Sequence, residues 1–208
     1  GVFAIVMTLM VFNLSLPKER PITNLRQELL DLWPSFLAYA ISFGMAGIYW
    51  SANHNMFRFI RRSSHELVWL TILFLSFVSL LPFSTGILAR FHEDVTALVF
   101  YGVNLELIGF SLFWIWCHST RTRRLTEANL PDAVIRFGQS KILTGIVGYG
   151  IATGLALWST TAAMAVFLLV PMLFVLPPVQ RFWVNKYGLH PTRGEPVGGA
   201  VPGNESDQ

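Results

Sequence analysis

Three short stretches of this 208-residue chain hold residue types that could handle ions or protons. Val147-Gly148-Tyr149-Gly150, inside "ILTGIVGYGIATG", is a tetrapeptide whose backbone carbonyls can replace the hydration shell of a potassium ion. Glu106, beside Asn104 in "YGVNLELIGF", is a carboxylate in apolar surroundings and so a candidate cation site or proton carrier. His54, between Asn53 and Asn55 in "YWSANHNMFRFI", carries an imidazole, the side-chain type that can serve as a proton-sensing group. What each can do depends on the elements that carry it.

Those elements are membrane helices. The chain is 53% hydrophobic and only 13% charged, and its mean hydropathy of +0.51 is far from that of a soluble domain. A bilayer core needs about 20 apolar residues per helix. Six stretches qualify, at 1–16, 33–57, 66–88, 95–118, 137–158 and 160–182. The first begins at Gly1 without an initiator Met, a basic leader or a small-residue cleavage site, and reads as a membrane helix whose beginning precedes this sequence. Short polar connections make residues 1–186 one all-α, six-helix transmembrane domain. Residues 187–208, rich in Gly, Pro and polar side chains, read as a disordered cytoplasmic tail.

Lys and Arg set the orientation. The second connection carries Arg58, Arg61 and Arg62; the fourth carries Arg121, Arg123, Arg124 and Arg136, with Lys141 following; the C-terminal end adds Arg181, Lys186 and Arg193. The odd connections mix Lys18, Arg20, Arg26 and Arg90 with Glu19, Glu28, Asp31, Glu93 and Asp94. By the positive-inside rule both termini are cytoplasmic, and an even number of spans, which puts them on one side, agrees with that. The Arg121, Arg123 and Arg124 cluster reads as a topology determinant and a lipid-headgroup contact. These basic loops flank membrane helices and belong to no nucleic-acid module, so no nucleic-acid partner is expected.

The tetrapeptide now reads differently. A carbonyl filter needs an extended loop between a short pore helix and a following helix. Residues 147–150 lie in the middle of an apolar run with no Pro or acidic residue beside them, and a re-entrant loop there would leave too little chain to cross the bilayer. Gly150 and Gly154 instead form a GxxxG pair, and Gly145, Gly148 and Ala152 add small residues at helical spacing that let another helix approach closely.

Enzymatic chemistry has little support. No nucleophile elbow, metal-binding His pair or phosphate-binding Gly loop occurs, and His54, His65, His92, His118 and His190 lack metal-ligand spacing. No metal or cofactor is expected, and Cys117, the single cysteine, reads as a buried thiol.

Three segments carry a family resemblance. Gly1-Val2-Phe3-Ala4-Ile5 with Thr8 opens the first helix; Trp50 with Asn53-His54 and Phe57 marks the second; Trp69 through Ser79-Leu80-Leu81-Pro82-Phe83 marks the third. Together they resemble the bacterial members of the transmembrane protein 175 family, relatives of the lysosomal potassium channel. The resemblance spans Gly1 to about Trp183. The family's Arg-x-x-x-Phe-Ser-Asp signature would stand immediately before Gly1, and its frequent second His is Asn55 here.

The resemblance implies a homotetramer in the bacterial inner membrane, with four copies of helix one around a central potassium-conducting pore and no Gly-Tyr-Gly filter. It places the constriction at Ile5, with Leu9 and Phe12 as further apolar layers and Thr8 as the selectivity candidate. It also ties the second-helix His into an interhelical polar network, matched here by Trp50, Asn53 and His54. Potassium and other monovalent cations, membrane lipid and further copies of the chain are the implied partners.

Geometry supports this in part. Ile5, Leu9, Phe12 and Leu16 share one helical face bordered by Thr8, and a four-fold apolar ring can close a pore by dewetting. Geometry alone favours packing of that face against a helix or lipid; the resemblance reverses the order. Asn13, one turn past Leu9, either lines the pore mouth or bonds a neighbouring helix. His54 is either a proton sensor or a structural member of its network. The rival class is a proton-coupled transporter using Glu106, although transporters commonly contain internal repeats and the two halves of this chain show none. An apolar constriction without a rigid coordination cage predicts only modest preference for potassium over sodium.

Overall fold

In the computed structural model, residues 1–14, 25–121, 125–126 and 130–175 are described. Leu16, Arg123, Arg124, the last part of the sixth span and the 187–208 tail lie outside the described residues. Helix α1 (Val2–Leu9) tightens into a 3-10 segment, Met10–Leu14. There follow α2 (Leu25–Asp31), α3 (Trp33–Phe59), α4 (His65–Ser79), α5 (Leu81–Arg90), α6 (Val95–Arg121), α7 (Asp132–Leu155) and α8 (Thr160–Val175). The all-helical reading holds, and the six predicted spans match α1 with its 3-10 extension, α3, the α4–α5 pair, α6, α7 and α8.

Two details differ from the sequence reading. The first connection contains a helix of its own, α2, set at 48° to α3. The third span is broken between α4 and α5, where Pro82 stands in the first turn of α5. Proline has no amide hydrogen to donate and is tolerated best there. By length and composition α4–α5 and α6 are long and apolar enough to cross a membrane, and α2–α3 joins them if the bent pair counts as one span. Residues 2–14 and 160–174 form shorter apolar helices. Pro171 lies inside α8, which continues past it to Val175.

The helices alternate in direction. After α3 and after α6 the chain arrives at the same end of the bundle, where the Arg61 amide donates to the Leu125 carbonyl at 2.8 Å and Ile60 pairs with Thr126. Arg58, Arg61, Arg62, Arg121 and Arg136 therefore gather at one end. At the other end Trp33, opening α3, packs edge-on against His92 in the α5–α6 turn, with ring centres 5.9 Å apart. Asp94 starts α6 there: its carboxylate accepts from the Thr96 amide at 2.7 Å, which holds that carboxyl below its ordinary range.

Packing is centred on α6, with Tyr101, Leu105, Ile108 and Leu112 at or near full burial. Polar bonds cross this core. Ser42 of α3 joins the Tyr101 hydroxyl at 2.9 Å and accepts from Thr85 of α5 at 2.8 Å, while Asn104 donates to Ser84 at 2.9 Å. The Tyr49 hydroxyl donates to the Leu105 carbonyl at 2.8 Å. Such bonds hold helices in register where hydrophobic burial gives no preference between lipid and protein.

Candidate functional site

Helix α1 has two unlike faces. Phe3, Val6 and Met10 turn inward at 7%, 2% and 0% exposure, and the Phe3 ring packs on Phe74 of α4 at 6.0 Å. Ile5, Leu9 and Phe12 turn outward at 59%, 45% and 75% exposure, with Thr8 exposed beside them. The opposite face is thus largely exposed among the described residues. Thr8 bonds back along its helix, donating to the Ile5 carbonyl at 2.8 Å with the Ala4 carbonyl at 3.1 Å.

Asn13 is partly buried and donates to the Pro82 carbonyl of α5 at 2.9 Å. Its amide packs on Gly86, where a Cβ would come within 2.7 Å of the Asn13 Oδ1. This is a bond to a neighbouring helix. The α4–α5 break supplies the acceptor's position, and the absent side chain of Gly86 supplies the room.

Trp50 and His54 stack on one another along α3, with ring centres 5.4 Å apart and planes 18° from parallel. Both are exposed. Asn53 keeps a buried Oδ1 without a hydrogen-bond partner among the described residues. The three are adjacent on one helix, and among the described residues no hydrogen bond carries them across to another helix of the same subunit.

Residues 147–150 lie within the continuous α7 helix, so their carbonyls are engaged in the helix ladder. Tyr149 is buried, stacked on Phe167 of α8, and donates to the Met45 sulfur. Close approach uses different glycines from the predicted GxxxG pair. A Cβ on Gly148 would lie 3.2 Å from Val170 and one on Gly145 3.7 Å from Phe174, whereas one on Gly154 would meet nothing within 4 Å. On α6, Gly109 makes room for Ile146 of α7 in the same way. Gly150 faces the half-buried Glu106, whose Oε1 would be 3.8 Å from an added Cβ. Sequence reasoning missed Ser42, Tyr49 and Tyr101, whose polar tips hold the core together, because each sits singly in an apolar run.

Residues 1–82 match the family model for the endosomal/lysosomal potassium channel TMEM175. A potassium channel of Streptomyces collinus is 32% identical over 169 residues, covering 79% of this chain and 82% of that one. The chain belongs to the TMEM175 family. The crystal structure of a lysosomal potassium-selective channel TMEM175 homolog from Chamaesiphon minutus has the same fold, with a TM-score of 0.74 at 23% identity over 90% of this chain and 93% of that one. The human endosomal/lysosomal proton channel TMEM175 is 36% identical over 105 residues, which are 45% of this chain and 21% of that protein. Membership of the TMEM175 family makes this chain a membrane-embedded ion channel and not an enzyme.

Proposed function

We propose that four copies of this chain assemble around α1 and conduct potassium along their shared axis, with Ile5, Leu9 and Phe12 as stacked apolar rings that close the path. The observation that carries this reading is the division of α1 and its 3-10 extension: Phe3, Val6 and Met10 are buried in the bundle, while Ile5, Leu9 and Phe12 stay largely exposed among the described residues. A ring of four such side chains excludes water when narrow, and a small outward shift of α1 rewets it. Thr8 places a hydroxyl on that wall. With no rigid carbonyl cage in the path, preference for potassium over sodium is modest. The basic end of the bundle faces the cytoplasm of a bacterial inner membrane, with both termini on that side.

Single-channel recording of the full-length protein in planar bilayers tests this. Ile5→Asn is expected to raise conductance severalfold or change ion preference, because it replaces a dewetting ring with a wettable one. Gly148→Ala, pressed against Val170, is expected to lower the yield of assembled protein while leaving selectivity alone. A silent Ile5→Asn, together with selectivity lost in an intact Gly148→Ala tetramer, would return the filter to residues 147–150. Flux that saturates, needs a counter-ion and is abolished by Glu106→Gln would instead assign a proton-coupled transporter.

A further inference from the structure

A cleft of about 410 Å³ opens between α3 and α7, with Leu112 of α6 and Phe174 of α8 also lining it. It exists because glycines face it: a Cβ at Gly47 would meet nothing within 4 Å, and one at Gly44 would meet only Pro171, at 3.9 Å. Met45, Ile48, Met56 and Ile142 make the walls apolar. Its volume falls in the range of about 300–1,000 Å³ typical of small-molecule sites.

One cation enters this apolar space. Lys141 lines the cleft and is half-buried, with its ammonium 6.0 Å from the centre of the Phe137 ring. Among the described residues no carboxylate pairs with it. Lys141 stands nine residues into α7, roughly 13 Å along the axis from its start, and that start lies at the end of the bundle where the arginines gather. An ammonium in an apolar groove is costly without an anion beside it. A ligand that meets both features has a long apolar chain and a negative head directed toward the basic end.

We propose that the cleft holds one acyl chain of an anionic phospholipid whose phosphate pairs with Lys141. A zwitterionic lipid would bring its own cation to the same place, so charge selects the anionic class. The site is separate from the α1 face and does not depend on the conduction reading.

Native mass spectrometry of the purified oligomer tests it, with phosphatidylglycerol or phosphatidylcholine added in equal amounts. The wild type is expected to retain phosphatidylglycerol at least fivefold over phosphatidylcholine, at no more than one tightly held copy per subunit. Gly47→Leu, whose Cβ enters open space lining the cleft, and Lys141→Gln are each expected to remove that preference, whereas Lys141→Arg and the exposed-rim change Arg136→Gln keep it. Gly47→Leu also replaces a helical glycine by a better helix former, so its thermal midpoint is expected to stay at or above that of wild type, and a retained midpoint separates loss of binding from loss of fold. Equal retention of the two lipids by wild type, or equal loss in Arg136→Gln and Lys141→Gln, would reduce the effect to an unspecific basic rim and overturn the proposal. So would retention of phosphatidylglycerol by Gly47→Leu, or wild-type displacement of it by free fatty acid at equal concentration.

Discussion

Thr8 and Ile5 sit three residues apart on the same exposed face, yet substitution of each should act differently. The Thr8 hydroxyl spends its hydrogen on a carbonyl of its own helix, at 2.8 Å from Ile5 O, and this leaves oxygen lone pairs toward the bare side. Four such oxygens would form a ring of acceptors beside the apolar one. Thr8→Val keeps the shape and removes the acceptors, so the potassium-to-sodium permeability ratio should fall toward unity in bi-ionic recordings while conductance and assembly change little. An unchanged ratio would remove Thr8 from the ion path. Asn13 also holds the fold, through its bond to the Pro82 carbonyl. Interhelical hydrogen bonds in membranes are worth roughly 0.6–2 kcal/mol, and Asn13→Ala should lower the thermal midpoint of the purified protein by a matching amount. Gly86→Ala should do the same, because its Cβ intrudes on the Asn13 Oδ1. The residue types at Asn13, Asn53 and His54 are legible in the sequence, but their partners are not. Direction around a helix decides whether an amide meets Pro82 or, like the Asn53 Oδ1, has no hydrogen-bond partner among the described residues.

Hydropathy sums over about 20 residues, so it finds a span well and an interruption poorly. That is why α3 and α6 begin where their apolar runs begin, at Trp33 and Val95, while the break between α4 and α5 hides inside a run that stays apolar on both sides of Leu80. Pro82 was a readable sign of it, but a proline is equally compatible with a kink. Helix α2 was not readable from hydropathy: Leu25–Asp31 is short, carries Arg26, Glu28 and Asp31, and meets α3 at a 48° bend. The break has a structural use, since it positions the Pro82 carbonyl for Asn13 and so fixes the far end of the α1 segment to α5. Pro82→Ala should let α4 and α5 join and move that carbonyl. In a double-mutant cycle, Asn13→Ala should then cost clearly less stability in the Pro82→Ala background than in wild type. Additive effects would mean that the break and the anchor are independent.

Across the whole molecule, alternation of helix direction collects Arg58, Arg61, Arg62, Arg121 and Arg136 at one end and mixes acids with Arg26 and Arg90 at the other, a charge arrangement visible in the sequence and given a physical location by the Ile60–Thr126 and Trp33–His92 contacts. Which end faces the cytoplasm follows from the free energy of translocating positive charge, and labelling can decide it. Cys117 is half-buried, with Gln139 as a hydrogen-bond partner at 3.8 Å, so Cys117→Ser should provide a silent background. Ser63→Cys, exposed in the turn after α3, and Glu93→Cys, exposed in the turn after α5, then mark opposite ends. In intact spheroplasts a membrane-impermeant maleimide should modify Glu93→Cys and spare Ser63→Cys, and lysis should expose both. The reverse pattern would invert the protein and place the arginines outside. Modification of both sites in intact cells would contradict the alternation itself, because residues 65–90 would then fail to carry the chain from one face of the membrane to the other.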